Sequence, residues 1–510
     1  MPPRSFNGLT VVFLLVGCAA PPASPSTAFQ KAAPTLAEAE TVSGAFVAAL
    51  ASTDPRAMRG FFEAQWSSQV PVPPEDEVAE RAESSRQLLG PLAVRPATLT
   101  AHGASVLACA PRDGWITLDF FFEAAAPHKV LGMRARPTTT TQDAGPCGVV
   151  PEPATPADIA ASLDASMAAR VARVPFSGVV LVGKDGTALF AKAYGLADRA
   201  TKAPNLVDTR FNIGSSSKMF TALAIEQLAG AGRLGLGDPV QRYLPDFGPR
   251  ELGPATIAHL LTHTSGLGDV FRPPFFEDRS RLREPADYLR AFGAEPLEFS
   301  PGARGRYSNL GYMALGGVVE RVAGESYDAY VREHVWGPAG MTDTSNTAYD
   351  APMTNRATGY THRILEKGAE RERWTPDARP NDALNLVKGS PAACTLSTAP
   401  DLLRFAGALL AGKIVDPSTL ARMTHGDVPL EAPGGLLDGR YGHGFIEEYS
   451  GGVRHFGHGG GLPGANAYFE ILPEQGYTIV VLANEDPAEA TWIGDRILTW
   501  IVDMLARDHR

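Results

Sequence analysis

The sequence predicts an α+β protein of two successive units, and three observations carry that reading. Residues 30–137 run from helix-like segments into strand-like ones, as helices packed on one face of an antiparallel sheet require. A stretch rich in Pro, Thr and Gly at 137–156 then interrupts the pattern. Beyond it, strand-like runs open and close a long region whose middle reads as helical. With 510 residues, 44% hydrophobic and 20% charged, the chain is long enough to bury two cores. The domain limits that follow are 1–18 (export signal), 19–30 (tether), 31–137 (small α+β domain), 138–156 (linker) and 157–510 (the larger domain).

Taken in order, Arg4 precedes an apolar run from Leu9 to Cys18, too short for a permanent membrane span and suited to an export signal. Residues 21–27, with Pro and Ser, suit a tether. Residues 36–50 are Ala-rich and periodic, Asp54-Pro55 reads as an N-cap followed by proline at the first helical position, and 75–89 is polar and helical. Strands are expected at 97–101, 106–110, 115–123 and 129–135. In the larger domain a helix is expected at 158–174. A hairpin of 177–182 with 188–194 turns on Lys184-Asp185-Gly186, and late strands fall at 468–472 and 478–482. Residues 363–385, rich in Glu, Arg, Asp and Pro, read as a surface insertion near the entrance, a solvated loop in preference to the alternative of a specificity lid.

Chemistry concentrates at Ser215-Ser216-Ser217-Lys218. A hydroxyl is a weak nucleophile until a base takes its proton, and a lysine in an apolar pocket has its pKa lowered enough to serve. Ser215 and Lys218, three apart, share one face if a helix starts here, and the apolar run from Met219 to Leu228 continues it to Gly230. Downstream lie Tyr307-Ser308-Asn309 and His458-Gly459-Gly460-Gly461. The formal net charge of -10 and the lack of a basic stripe argue against nucleic acid as a partner. There is no phosphate-cradling Gly-x-x-x-x-Gly-Lys and no heptad array, so no cofactor and no coiled-coil partner is implied. His259 and His263 lack a third ligand and read as structural. His455 and His458 fall on opposite faces of an extended strand, so no metal is expected either. The His-Gly-Gly-Gly run mimics the oxyanion loop of α/β-hydrolase lipases, but no Gly-x-Ser-x-Gly elbow follows it.

The order Ser-x-x-Lys, Tyr-x-Asn, His-x-Gly resembles the serine β-lactamase and penicillin-binding-protein superfamily, and its Tyr-x-Asn form resembles the class C branch. Residues 260–267 (Leu-Leu-Thr-His-Thr-Ser-Gly-Leu) and 480–484 (Val-Val-Leu-Ala-Asn) resemble two further family stretches, and the likeness covers residues 160–505. It implies an antiparallel sheet flanked by helices, with an all-helical lobe inserted between the hairpin and the last strands and the active site at their seam. It further implies that Ser215 attacks an acyl carbon, that Lys218 and Tyr307 share the proton transfers, and that Asn309 orients Lys218 and the substrate amide. His458 and Gly460 would meet the substrate, and the backbone N–H groups of Ser215 and Gly461 would form the oxyanion hole. Where penicillin-interacting members carry lysine this chain has His458, which weakens a β-lactamase reading. If His458 must be protonated, activity would switch between pH 5 and 8.

The resemblance thus points to a serine hydrolase of small esters or amides, its partner being a small-molecule or peptide acyl substrate. The alternatives are a D,D-carboxypeptidase or weak β-lactamase, and a penicillin-binding sensor or scaffold that acylates without turnover. Leu15-Val16-Gly17-Cys18 resembles a bacterial lipobox, which implies lipidation of Cys18 and anchoring of the exported protein in the cell envelope, at the outer membrane facing the periplasm. In that oxidising compartment Cys109 and Cys147 are able to pair, leaving Cys394 as an inert or pocket-lining thiol. The small first domain resembles the cone-shaped nuclear-transport-factor-like (NTF2-like) domains, a likeness of topology alone. Nothing in the sequence indicates an oligomeric state.

Overall fold

The computed structural model describes residues 34–508 with interruptions, chiefly within 69–90, 138–157, 272–278, 365–372 and 382–385. The export signal with Cys18, the tether, Cys147, nearly all of the linker and most of the expected 75–89 helix lie outside the described residues. No helix among those described is long and apolar enough to cross a membrane. Among the described residues the chain divides into two compact units, one of Phe176–Leu430 with Asp438–Gly494, the other of residues 34–172 with 431–437 and 495–508. The second of these groups reaches past the expected limit at 137 and takes in the helix Ile159–Val171.

The smaller unit opens with α1 (Leu36–Ala51), whose N-cap Thr35 accepts from the Glu38 N–H while Glu38 reaches back to the Thr35 N–H, a reciprocal capping box. In α2 (Pro55–Gln65), Asp54 caps and Pro55 takes the position where its missing N–H costs nothing. Four strands, β1 (Ala93–Thr100), β2 (Gly103–Ala110), β3 (Gly114–Phe122) and β4 (Val130–Pro137), form an antiparallel meander in that order. Phe46 of α1 meets Phe120 of β3 edge to face at 5.9 Å, so the helix packs on one face of the sheet. Cys109 is disulfide-bonded. The helix Ile159–Val171, α3, buries Ile159, Leu163 and Met167.

The larger unit starts with the hairpin β5 (Gly178–Lys184) and β6 (Thr187–Tyr194). A helical lobe follows, in which the elements that matter for the site are α4 (Lys218–Gly230), α5 (Ile257–Leu261), α6 (Pro285–Phe292) and α7 (Asn309–Ala323). After α8 (Ala399–Leu410) come β7 (Ile446–Ser450), β8 (Val453–Gly457), β9 (Gly460–Leu462), β10 (Ala465–Leu472) and β11 (Tyr477–Ala483); the terminal helix α9 (Glu489–Asp508) is counted with this unit only as far as Gly494. The part of the sheet that carries the site runs β7-β8-β10-β11-β5-β6, with β9 paired to β10, and every neighbour in it is antiparallel. The hairpin and the last strand therefore meet, with Leu181 of β5 opposite Val480 of β11. Both strands are buried and carry near-continuous apolar runs, as a sheet covered on both faces requires. Phe405 of α8 lies 5.9 Å from Phe469 of β10 and 5.2 Å from Phe220 of α4, which ties lobe to sheet.

One expectation is overturned here. Residues 363–385 are not simply a solvated loop: Tyr360–Ile364 and Arg373–Pro380 pair as an antiparallel ribbon, held where the buried Thr375 hydroxyl donates to the His362 carbonyl. The charged composition reflects exposed ribbon positions such as Asp377 and Arg379.

Candidate active site

Sheet and helical lobe converge on a turn, Ile213 to Lys218. The Asn212 side chain accepts from the Gly214 N–H, and Gly214 takes a φ of 52°, a left-handed value that suits glycine. A single 3₁₀ turn, Gly214–Ser217, then feeds α4, so Ser215 stands one turn before the helix and Lys218 at its first residue. Three further bonds lock the turn: Ser216 Oγ to the His458 carbonyl (2.6 Å), Ser217 Oγ to the Gly214 carbonyl (2.7 Å), and the Thr395 N–H to Ser217 Oγ (3.1 Å).

Lys218 is fully buried. Its Nζ lies 2.7 Å from Asn309 Oδ1, 2.6 Å from the Ala392 carbonyl and 3.3 Å from Ser215 Oγ. The first two partners only accept, so an uncharged amine spends its two hydrogens on them and turns its lone pair toward the serine hydroxyl. Burial lowers the Lys218 pKa to about 7, against the attraction of Asp269, which raises it. The Tyr307 ring lies 4.6 Å from Nζ and the Tyr312 ring 5.5 Å.

Tyr307 and Asn309 flank Ser308, the N-cap of α7. The Ser308 hydroxyl accepts from the Gly311 N–H and donates to the Gly268 carbonyl, and its N–H donates to His263 Nδ1 (3.1 Å). The His263 ring stacks on Tyr307 with centroids 4.2 Å apart. Burial lowers its pKa well below the usual value, so His263 is neutral. His263 is thus structural in the sense that it holds the tyrosine in place, from a backbone φ of 58° that few non-glycine residues adopt. The Tyr307 hydroxyl is buried and makes no well-formed hydrogen bond among the described residues. Burial raises its pKa well above 10, with the Ser215 hydroxyl drawing it back, so it is a phenol, able to donate.

This chain matches the Beta-lactamase family over residues 163–503. It belongs to that family. Over 203 residues it is 39% identical to the esterase EstB of Burkholderia gladioli, covering 37% of this chain and 51% of that protein, so the match spans about half of EstB's length. The structure of a penicillin binding protein from Bacillus halodurans superposes with a TM-score of 0.55 at 31% identity, covering 62% of this chain and 94% of that one. That of EstCE1, a hydrolase with promiscuous acyltransferase activity, gives 0.52 at 27%, covering 65% and 93%.

Of the residues singled out in this beta-lactamase-family sequence, Ser215, Lys218, Tyr307 and Asn309 are brought together. Gly461 N lies 2.8 Å from the point where a Cβ on Gly214 would stand, which sets β9 beside the nucleophile turn. Gly460 differs from expectation. It is buried against the turn instead of facing a substrate: an added Cβ would sit 1.9 Å from the Ile213 carbonyl oxygen. His458 differs as well. Its ring is fully buried, Nδ1 donates to the Gly459 carbonyl (2.6 Å), and Nε2 therefore accepts from the Tyr441 hydroxyl (3.1 Å). Both nitrogens are consumed within the protein, and burial with the Lys218 charge lowers the pKa to about 3, so the imidazole stays neutral between pH 5 and 8. Cys394 is a buried free thiol whose pKa burial pushes up to about 12. His259 serves the cap of α5 with Thr256.

Sequence reasoning missed Tyr441, the partner of His458, and Asp269. Asp269 is buried in the loop after α5 and accepts from Asn309 Nδ2 at 3.1 and 3.0 Å. No motif marks Asp269 in the sequence; only the fold, by burying it beside Asn309, makes it visible. The fold also gathers Glu448, His455 and Glu470 on neighbouring strands, with ligand-type atoms within 4.8 Å of one another. There His455 Nδ1 and Glu470 lie at 3.1 Å and satisfy each other.

Proposed function

We propose that this chain is a serine hydrolase that cleaves small esters, or amides without a charged group beside the scissile bond, through an acyl-Ser215 intermediate. The observation that carries this reading is the Lys218 amine, with two acceptors on its hydrogens and Ser215 Oγ at 3.3 Å on its remaining side. In acylation the Ser215 proton passes to Nζ as Oγ bonds to the acyl carbon, and the oxyanion faces the N–H groups of Ser215 and Gly461. The Tyr307 phenol gives its proton to the leaving oxygen or nitrogen and is reprotonated by the Lys218 ammonium. Water then attacks the acyl-enzyme, its proton moving to Lys218 and from there to the departing Ser215 oxygen, which restores the starting state.

One point supports an uncharged substrate. A neutral, buried His458 stands where the penicillin-interacting members carry a lysine, so this position offers no cation to a substrate carboxylate. The likeness to the esterase EstB supports ester cleavage. The likeness to a penicillin binding protein favours a second reading, D,D-peptidase action. Mixing the protein with a chromogenic short-chain ester and, separately, a chromogenic cephalosporin, with intact-mass analysis, tests both. Steady ester turnover without cephalosporin hydrolysis is expected. A lasting adduct on Ser215 with little turnover would favour the peptidase or sensor reading, and full activity in Ser215→Ala would sink all of them. Anchoring through Cys18 in the cell envelope is proposed on the lipobox-like Leu15-Val16-Gly17-Cys18, and loss of membrane association in Cys18→Ala is its test.

A further inference from the structure

Asp269 lies behind Asn309 and touches none of the reacting atoms. Its carboxylate accepts from Asn309 Nδ2 at 3.1 and 3.0 Å, from the Val270 N–H at 2.6 Å and from the Phe271 N–H at 3.4 Å. Every one of these partners is a donor, the set that an ionised carboxylate requires. Asn309 is thereby fixed end to end: its amide nitrogen faces Asp269, and its carbonyl oxygen is left for Lys218 Nζ at 2.7 Å. A flipped amide would set its NH₂ group against the lysine and its oxygen against the carboxylate, so Asp269 decides which way Asn309 points.

We propose that Asp269 is a positioning residue of this reaction, whose buried carboxylate fixes the orientation of Asn309 and, through it and through its own charge, the charge state of Lys218. The inference rests on the hydrolase reading above.

The other titratable groups around Lys218 come from several elements, and none of them supplies a negative charge near pH 7. His263, in the loop after α5, and His458, before β9, are held neutral by burial. Cys394, in the loop before α8, remains a thiol. Tyr307 just before α7, Tyr312 within it and Tyr441 ahead of β7 remain phenols. Burial pushes the Asp269 carboxyl up, while its N–H donors and the Lys218 charge draw it back. Among the described residues Asp269 is therefore the anion that opposes the desolvation of Lys218.

The test is the pH dependence, from pH 5 to 9.5, of the rate at which a fluorophosphonate labels Ser215 in the full chain, read by intact mass. Wild type should show an acid limb near pH 7, where Lys218 loses its proton. Removing the carboxylate in Asp269→Asn lowers the Lys218 pKa, so the limb should move to lower pH by about one unit, the low end for a neighbouring opposite charge. Asp269→Glu, which keeps the charge, should hold the limb close to wild type. A folded Asp269→Asn with a reduced plateau and an unmoved limb has lost only a structural contact, and that result overturns the proposal. If Asp269→Asn does not fold, Asp269→Ser carries the same expectation. If neither neutral variant folds while Asp269→Glu does, the carboxylate serves the fold alone and the proposal falls. Failure of wild type to label at Ser215 would overturn the hydrolase reading together with this inference, whereas normal labelling with an unmoved limb overturns this inference alone.

Discussion

At the level of single residues, the site works by denying water to groups that ordinarily keep it. Lys218 is brought down to about 7 by burial, and Tyr307 is kept protonated by the same cause. For a free base at Lys218 the sign is fixed: kcat/KM for a short-chain ester should rise with pH through a limb near 7, and Tyr307 should cause no fall below about pH 10. A pH–rate profile checks this. His458→Asn should leave the limb where it is, since the imidazole is already neutral there. Tyr307→Phe should lower kcat/KM by about 10²–10⁴-fold, the usual share of one acid–base group. Its hydroxyl makes no well-formed hydrogen bond among the described residues, so the melting temperature should not fall. Calorimetry and kinetics together read that separation of activity from stability.

Among the elements, β9 and the turn before α4 are fitted backbone to backbone. Gly460 has no room for a side chain, whereas a Cβ on Gly459 would meet nothing closer than the Ala467 carbonyl oxygen at 3.4 Å. Gly460→Ala should therefore cost about 1–3 kcal/mol in chemical denaturation, as overpacking does, and reduce ester turnover by pushing β9 from Ser215. Gly459→Ala should cost much less in the same measurement. The two glycines are equivalent in the sequence, and the difference between them arises only from which one faces Ile213.

For the molecule as a whole, the cysteines report on how the chain is closed. Cys109 is disulfide-bonded and Cys394 is a buried thiol. Iodoacetamide should leave Cys394 unmodified in the native protein and label it only after denaturation, because a buried thiol near pKa 12 offers almost no thiolate. Peptide mapping without reduction identifies the partner of Cys109, for which Cys147 is the expectation.

Much of this was legible from residues alone, because local rules act over short spans. The Ala-rich period of residues 36–50 and Asp54 with Pro55 announce two helices, and short apolar, β-branched runs such as 178–182 and 478–482 mark strands. Ser-x-x-Lys and Tyr-x-Asn named the residues that the fold assembles. Tertiary structure decided the rest: that His458 turns inward to Tyr441, that Gly460 is packed against Ile213, and that Asp269 stands behind Asn309. Those facts depend on contacts between residues far apart in the chain, and on the burial that sets their charge, neither of which a linear pattern contains.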